Sequence, residues 1–250
     1  VHTLVKAKLY AMLVHGFLTL IVALLTAFLV YRLWYPAPFA QLTGGTDLFL
    51  LVLGVEAVLG PVMSLVIFNP VKVRKEMVRD YLVVGLIQFS ALSYGIYSVY
   101  LARPVYVVFV KDRLDVVVAA ELDAADMHGA DDGFTRLPLL GPKTICVDYP
   151  ADPQERSELL WSAVQGKDIQ LQPRYYRDCE QGEVRSHAYG RDQLEKLTQI
   201  KRSSLPLNVG DQDFSWLPVV SRFGSWIVIF VGDSDTRPVY VNANPFANTG

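Results

Sequence analysis

The sequence predicts a membrane protein in two parts: three transmembrane α-helices, then an α+β domain with a mainly antiparallel sheet. Long apolar runs fill the first hundred residues, and short β-type runs take over after Arg103-Pro104. The charge changes sign at the same place. Residues 1–103 hold 8 Lys/Arg and 4 Asp/Glu, a net of +4, while residues 104–250 carry a net of −6. Across the chain, 52% hydrophobic and 19% charged residues with a mean hydropathy of +0.27 is apolar for a soluble protein. These shifts divide the chain into a transmembrane region, 1–103, and a second domain, 104–250. The acidic second half lacks the clustered Lys/Arg of a phosphate-binding surface, which speaks against a nucleic-acid partner.

The first apolar run, Leu9 to Tyr31, has no formal charge beyond what His15 takes up. At about 1.5 Å per residue it reaches roughly 34 Å, enough to cross a hydrocarbon core of about 30 Å. Tyr10 marks one end and Tyr31, Trp34 and Tyr35 the other, at headgroup depth. The run exceeds a signal-peptide core, and Arg32–Tyr35 supplies no small-residue cleavage site, so it reads as a retained helix. The second run, Leu48 to Phe68, is interrupted only by Glu56 and Gly60-Pro61. The third, Tyr81 to Ala102, is uncharged and bracketed by Asp80 and Arg103. Lys6 and Lys8 precede the first helix, and Lys72, Arg74, Lys75 and Arg79 lie between the second and third. Arg32–Asp47 holds a single Arg. Positive-inside counting therefore places the N-terminus and the basic connection in the cytoplasm and everything after Arg103 outside.

Three features stand out at membrane depth. A carboxylate there costs roughly 2.5–3.5 kcal/mol on insertion scales, which makes Glu56 a functional candidate. The plainer reading is a protonated Glu sharing a hydrogen bond between helices. Counting from the helix midpoint puts Glu56 level with Ser93 and Tyr94, with Gln88 lower and nearer His15. Ser93, Tyr94 or a polar group on a visiting helix are thus the expected partners. Gly60 and Ser64 form a small-xxx-small pair, and Ala91, Gly95 and Ser98 a similar stripe. Such stripes usually pack helices of one chain, the alternative being a face for a foreign helix. Pro61 removes a backbone donor and is expected to kink the second helix.

In the second domain, Val105–Val110 and Leu114–Ala119 around Lys111-Asp112-Arg113 read as a hairpin leaving the membrane directly. Glu121–His128 reads as a short helix and Thr144–Tyr149 as a strand. Asp152-Pro153-Gln154-Glu155 starts a helix, with Asp as N-cap, Pro at N1 and Glu at N3; it should end at Gly166. Arg191–Arg202 reads as a further helix with Leu194, Leu197 and Ile200 on one face. Ser215–Ser221, Ser225–Val231 and Arg237–Asn242 complete the strands, the last two joined by a turn at Gly232–Asp235. Cys146 and Cys179, the two cysteines, both fall on the outside half, where an oxidising compartment favours a disulfide; two unpaired buried thiols are the alternative.

Motifs of catalysis do not show. The chain has no CxxC, no Gly-rich phosphate loop and no GxSxG elbow, and His128 and His187 lack zinc-site spacing. Asp123, Asp126, Asp131 and Asp132 lack EF-hand spacing and read as a solvated acidic loop. No cofactor or metal is expected, and a binding function is expected over an enzymatic one.

Several segments resemble the type IV pilin accessory proteins, inner-membrane proteins of pilus-bearing Gram-negative bacteria. They are Trp34-Tyr35-Pro36, then Gly54-Val55-Glu56-Ala57-Val58-Leu59-Gly60-Pro61 running into Phe68-Asn69-Pro70, then Ala91-Leu92-Ser93-Tyr94-Gly95. Ala102-Arg103-Pro104-Val105 and the hairpin containing Asp112-Arg113 continue the likeness. It covers the first ~120 residues well and the remainder mainly in architecture; the acidic position of the second helix, often Asp in such proteins, is Glu56 here. The resemblance implies a multi-pass inner-membrane protein with a periplasmic domain and no catalytic residues. It also implies a helper of pilin stability, export or assembly. The expected partners are a type IV pilin, the inner-membrane pilus assembly platform and membrane lipid. The alternative is a membrane-anchored periplasmic ligand-binding or sensor protein, disfavoured by cytoplasmic segments too short for an output domain.

Overall fold

The computed structural model describes residues 2–198, 200–201, 205–206, 209, 212–232 and 237–247. Helix α1 runs His2–Leu29 and closes in a π-turn, Val30–Trp34. A short helix α2, Phe39–Leu42, precedes α3, Gly45–Ile67, and α4, Arg74–Leu101. Three helices, α1 with its π-turn, α3 and α4, are long and apolar enough to cross a membrane. Their outward faces carry exposed Phe17, Leu24, Phe28, Leu51, Val58, Leu82 and Leu86, a belt that only lipid covers comfortably.

Each helix outruns its apolar stretch. α4 begins at Arg74 because Arg74–Asp80 contains no helix breaker, so charged residues extend the helix beyond the bilayer-type run. Helix α3 starts just after Gly44, whose φ of 68° makes the turn, and continues as one helix through Pro61. The segment between the first two long helices, featureless in sequence, holds α2; four residues are too few for a periodic signal.

Strand β1, Pro104–Val110, follows α4 almost directly and pairs antiparallel with β2, Arg113–Val118, across a turn with Lys111 at φ 56°. The remaining strands are β3 (Lys143–Val147), β4 (Tyr176–Arg177), β5 (Tyr189–Gly190), β6 (Phe214–Ser221), β7 (Gly224–Val231) and β8 (Val239–Val241). They form one sheet in the order β4-β3-β1-β2-β6-β7-β8, with β5 on β6. All seven residues of β1 are buried, as befits a central strand covered on both faces. Val108, Val110, Ile145 and Val147 face one layer, closed by helix α5 (Pro153–Val164) through Leu159 and by Ile169 and Tyr175. Val107, Phe109, Leu217, Val219 and Val228 face the other, where Phe39 and Leu42 of α2 pack.

The sheet is mixed. The hairpin pairings are antiparallel as expected, but β1–β3 and β2–β6 are parallel. Both parallel pairs join strands that are not neighbours in sequence: β2 and three 3₁₀ turns lie between β1 and β3, and β3, β4, β5 and α5 lie between β2 and β6, so no single β-helix-β pattern signals either pairing. The expected helix at Glu121–His128 is two 3₁₀ turns, Ala119–Glu121 and Ala124–Met127. Helix α5 starts as its sequence dictates: the Asp152 side chain accepts from the Glu155 backbone N–H at 2.9 Å. The expected Arg191–Arg202 helix is cut short. After a 3₁₀ turn the helical stretch Leu194–Leu197 stops at Thr198, whose backbone is extended and whose hydroxyl donates to the Leu194 carbonyl. Leu194 and Ile200 are buried while Leu197 is exposed, so the apolar spacing did not mark a helix face. Strand β8 starts only after Pro238, which lacks the ladder donor. The Gly232–Asp235 turn lies beyond Gly232 outside the described residues.

Candidate functional site

The three long helices meet tightly at the end nearest the sheet. Tyr35 donates its phenol to the Val99 carbonyl at 2.8 Å, Trp34 packs edge-on against Tyr100, and Tyr31 against Phe49. Val30, Phe49, Val52 and Val99 close this end as an apolar plug. Arg103 is buried; its guanidinium lies 3.7 Å over the Tyr100 ring and donates to the carbonyls of Tyr100 and Pro138. From the other side, Gly141 N–H donates to the Leu33 carbonyl and Ser221 Oγ to the Leu42 carbonyl. The long helices and the sheet domain are thereby joined at the ends of α1, α2 and α4.

Away from the domain, α1 and α4 part, with α3 between them. The space they leave is a groove of about 800 Å³. One wall runs from Tyr10 to Ala23 on α1, about 20 Å at 1.5 Å per residue; the other runs from Met77 to Leu92 on α4. Leu53 and Glu56 of α3 form the floor. Most of the lining is apolar, with Val14, Leu18, Val22, Val78 and Phe89 among it.

The buried positions of α3 are Gly45, Phe49, Val52, Glu56, Gly60 and Ser64, a stripe at helical spacing. Near the domain, Val52 fills the space over Gly95 of α4, where any added Cβ would lie 2.5 Å from its Cγ1. Toward the far end, Gly60 lies under three polar groups from the neighbouring helices. A Cβ there would fall 2.5 Å from Gln88 Nε2, 3.0 Å from His15 Nε2 and 3.2 Å from Thr19 Oγ1. Ser64 Oγ and His15 Nδ1 are 2.5 Å apart. This Ser–His pair is an interhelical bond: Ser64 is fully buried and does not line the groove, so no substrate reaches its hydroxyl.

Glu56 falls between these two packed zones. It is 7% exposed, lines the groove, and among the described residues no group is hydrogen-bonded to its carboxyl. The expected partners are elsewhere. Ser93 Oγ donates to the Phe89 carbonyl of its own helix, and Tyr94 is 74% exposed. The register explains it: Val52 against Gly95 and Gly60 under Gln88 bring Ala91 and Leu92, which bear no polar side chain, level with Glu56. Ser98 likewise donates back to the Tyr94 carbonyl. Of the small-residue positions, Gly60, Ser64 and Gly95 are buried in contacts within the chain, and Ala91 is half-buried. His15, Thr19 and Gln88 complete the polar set. Their signal in the sequence was polarity at depth inside apolar runs, the same signal that marked Glu56.

The sheet domain holds a second, shallower hollow of about 450 Å³ beside the cysteines. Cys146 and Cys179 are joined as a disulfide. Glu183 lies close enough to both sulfurs to complete a metal-ligand trio in principle, but the sulfurs are bonded to each other and Glu183 is bound to Arg177. Arg177 donates to Glu183 through both terminal nitrogens and to Asp148 through Nε. This pairing holds the Glu183 carboxyl down at about 2. The arrangement staples β4 to its neighbours and leaves no free ligand set.

Comparison with known proteins settles the family. A curated fimbrial assembly protein of Dichelobacter nodosus, serogroup I, is 32% identical over 229 residues, covering 86% of this chain and 88% of the relative. The chain belongs to the fimbrial assembly proteins. The serogroup E1 member from the same organism is 30% identical over 225 residues with the same coverage, and the serogroups C1 and C2 member is 38% identical over 109 residues, 44% of this chain and 83% of the relative. The family model for fimbrial assembly protein FimB matches residues 3–44, the stretch that forms α1 and α2. No solved structure matches the chain. Membership bears out the family likeness read from the sequence and supports a role in fimbrial biogenesis.

Proposed function

We propose that this fimbrial assembly protein binds the apolar membrane helix of a type IV pilin in the groove between α1 and α4, aiding the pilin's stability, export or incorporation into the fibre. The observation that carries the reading is the groove itself. It is about 20 Å long, nearly four helical turns, and lined by side chains suited to an apolar helix. The function is binding, without catalysis. The protein sits in the inner membrane with its N-terminus and the Lys72–Arg79 connection in the cytoplasm and the sheet domain in the periplasm, an orientation supported by the distribution of Lys and Arg. The sheet domain, held against the helix ends, is then on the same side as a pilin's globular head, and contact with the pilus assembly platform follows from the same placement.

Photo-crosslinking residues placed at Val14 or Phe89, in the groove, should capture pilin in native membranes. A residue at Val58, on the face of α3 that does not line the groove, should not. Equal capture from Val58, or no pilin adduct from any groove position, refutes the reading.

A further inference from the structure

Resting on the groove reading above, we infer that the helix it receives carries a neutral hydrogen-bond donor at mid-depth, a hydroxyl or amide group, that bonds the Glu56 carboxyl. Three observations converge on Glu56. It is more than nine-tenths buried and lines the groove floor. Among the described residues no group is hydrogen-bonded to its carboxyl: Ser93 Oγ bonds its own helix, His15 Nδ1 bonds Ser64, and Thr19 and Gln88 lie over Gly60. And the opposing residues of α4 at its level, Ala91 and Leu92, have nothing to donate.

A buried carboxyl without a partner is costly, and far more so in hydrocarbon, where water is scarce. An acyl chain covers the groove but leaves that cost in place. A purely apolar helix does the same. An occupant with a donor at this level removes it, and so is selected over lipid and over apolar helices that fit the walls equally well. The groove walls therefore supply shape and Glu56 supplies discrimination. The stripe of α3 explains why one residue serves: Val52 above and Gly60 below are closed by α4 and α1, and only at Glu56 does the buried face open to a visitor.

The test combines capture with stability, because the two move in opposite directions. With a photo-crosslinker at Phe89, Glu56→Leu should reduce pilin capture about threefold or more, in line with hydrogen bonds between membrane helices. Glu56→Gln, whose amide oxygen still accepts, should stay within about twofold of wild type. The purified Glu56→Leu protein in detergent should melt at the same temperature as wild type or higher, since the carboxyl bonds nothing among the described residues. Undiminished capture by Glu56→Leu overturns the donor while leaving the groove reading intact. So does a lower melting temperature or loss of accumulation in Glu56→Leu, which reveals a bond within the chain, and so does a loss in Glu56→Gln equal to that in Glu56→Leu. Absence of pilin capture by the wild-type background removes the groove reading and this inference with it.

Discussion

Ser221, in β6, donates its hydroxyl to the carbonyl oxygen of Leu42 at 2.5 Å, joining residues 179 apart in the chain. Leu42 itself is 1% exposed and packs into the face of the sheet beside Val219 and Trp226. The connection between the first two long helices is therefore part of the sheet domain's core. Leu42→Ala should cost about 2–5 kcal/mol of stability, the usual range for a buried leucine. Ser221→Ala should cost about 0.5–1.5 kcal/mol. Denaturation followed by the fluorescence of Trp216 and Trp226 gives the ranking, and a Leu42→Ala loss below that of Ser221→Ala contradicts it.

Two glycines of α3 should behave oppositely. Gly60 is roofed by Gln88, His15 and Thr19, whereas nothing lies within 4 Å of a Cβ built on Gly54. Gly60→Val should destabilise by about 1–3 kcal/mol through overpacking. Gly54→Ala should be neutral or gain up to about 1 kcal/mol from helix propensity. Melting temperatures in one detergent are sufficient, and similar losses at both positions speak against the packing described.

The disulfide closes a segment with a sequence separation of 33 residues. In the chain-entropy model its removal costs about 3–4 kcal/mol. Cys146→Ser with Cys179→Ser should lower the midpoint of sheet-domain unfolding, and reduction of the wild-type protein should do the same. Thiol labelling of the native protein should require prior reduction.

Acid should weaken the same corner. The Arg177 guanidinium holds Glu183 at about 2, below its ordinary value. A depressed carboxyl contributes stability that is present above its unfolded value, near 4.5, and is lost as pH falls toward 2. The pair is partly exposed, so the contribution is small and salt-sensitive. Melting curves between about pH 6 and pH 2, roughly the window of that linkage, should fall less steeply in Arg177→Gln than in wild type. Parallel curves exclude the pair as a contributor.

What was legible in the sequence follows the length of each signal. Twenty-odd apolar residues announce a membrane-crossing helix, and Asp152-Pro153-Gln154-Glu155 announces the start of α5; both elements are where those signals put them. The hairpin Pro104–Val118 was legible because its strands are adjacent. The parallel pairings were not, since β3 and β6 pair with strands far back in the chain across several intervening elements. Glu56 stood out as a carboxyl among apolar residues, but its neighbours depended on a register that helix ends alone could not set. Counting from the midpoints of the apolar runs put Ser93 opposite Glu56, where the packed register places Ala91 and Leu92. The groove depended on α1 and α4 diverging, a property of packing that no single helix displays.

The insertion of Phe39 and Leu42 into the sheet also fixes an order of events during synthesis. Leu42 leaves the ribosome early, while Val219, Ser221 and Val228, against which that corner closes, come near the end of the chain. At about 5–20 residues per second, the 179 residues between Leu42 and Ser221 take roughly 10–35 s to make. Through that interval the α2 corner can meet Val107 and Phe109 of β1 but lacks its contacts with β6 and β7, which are made last.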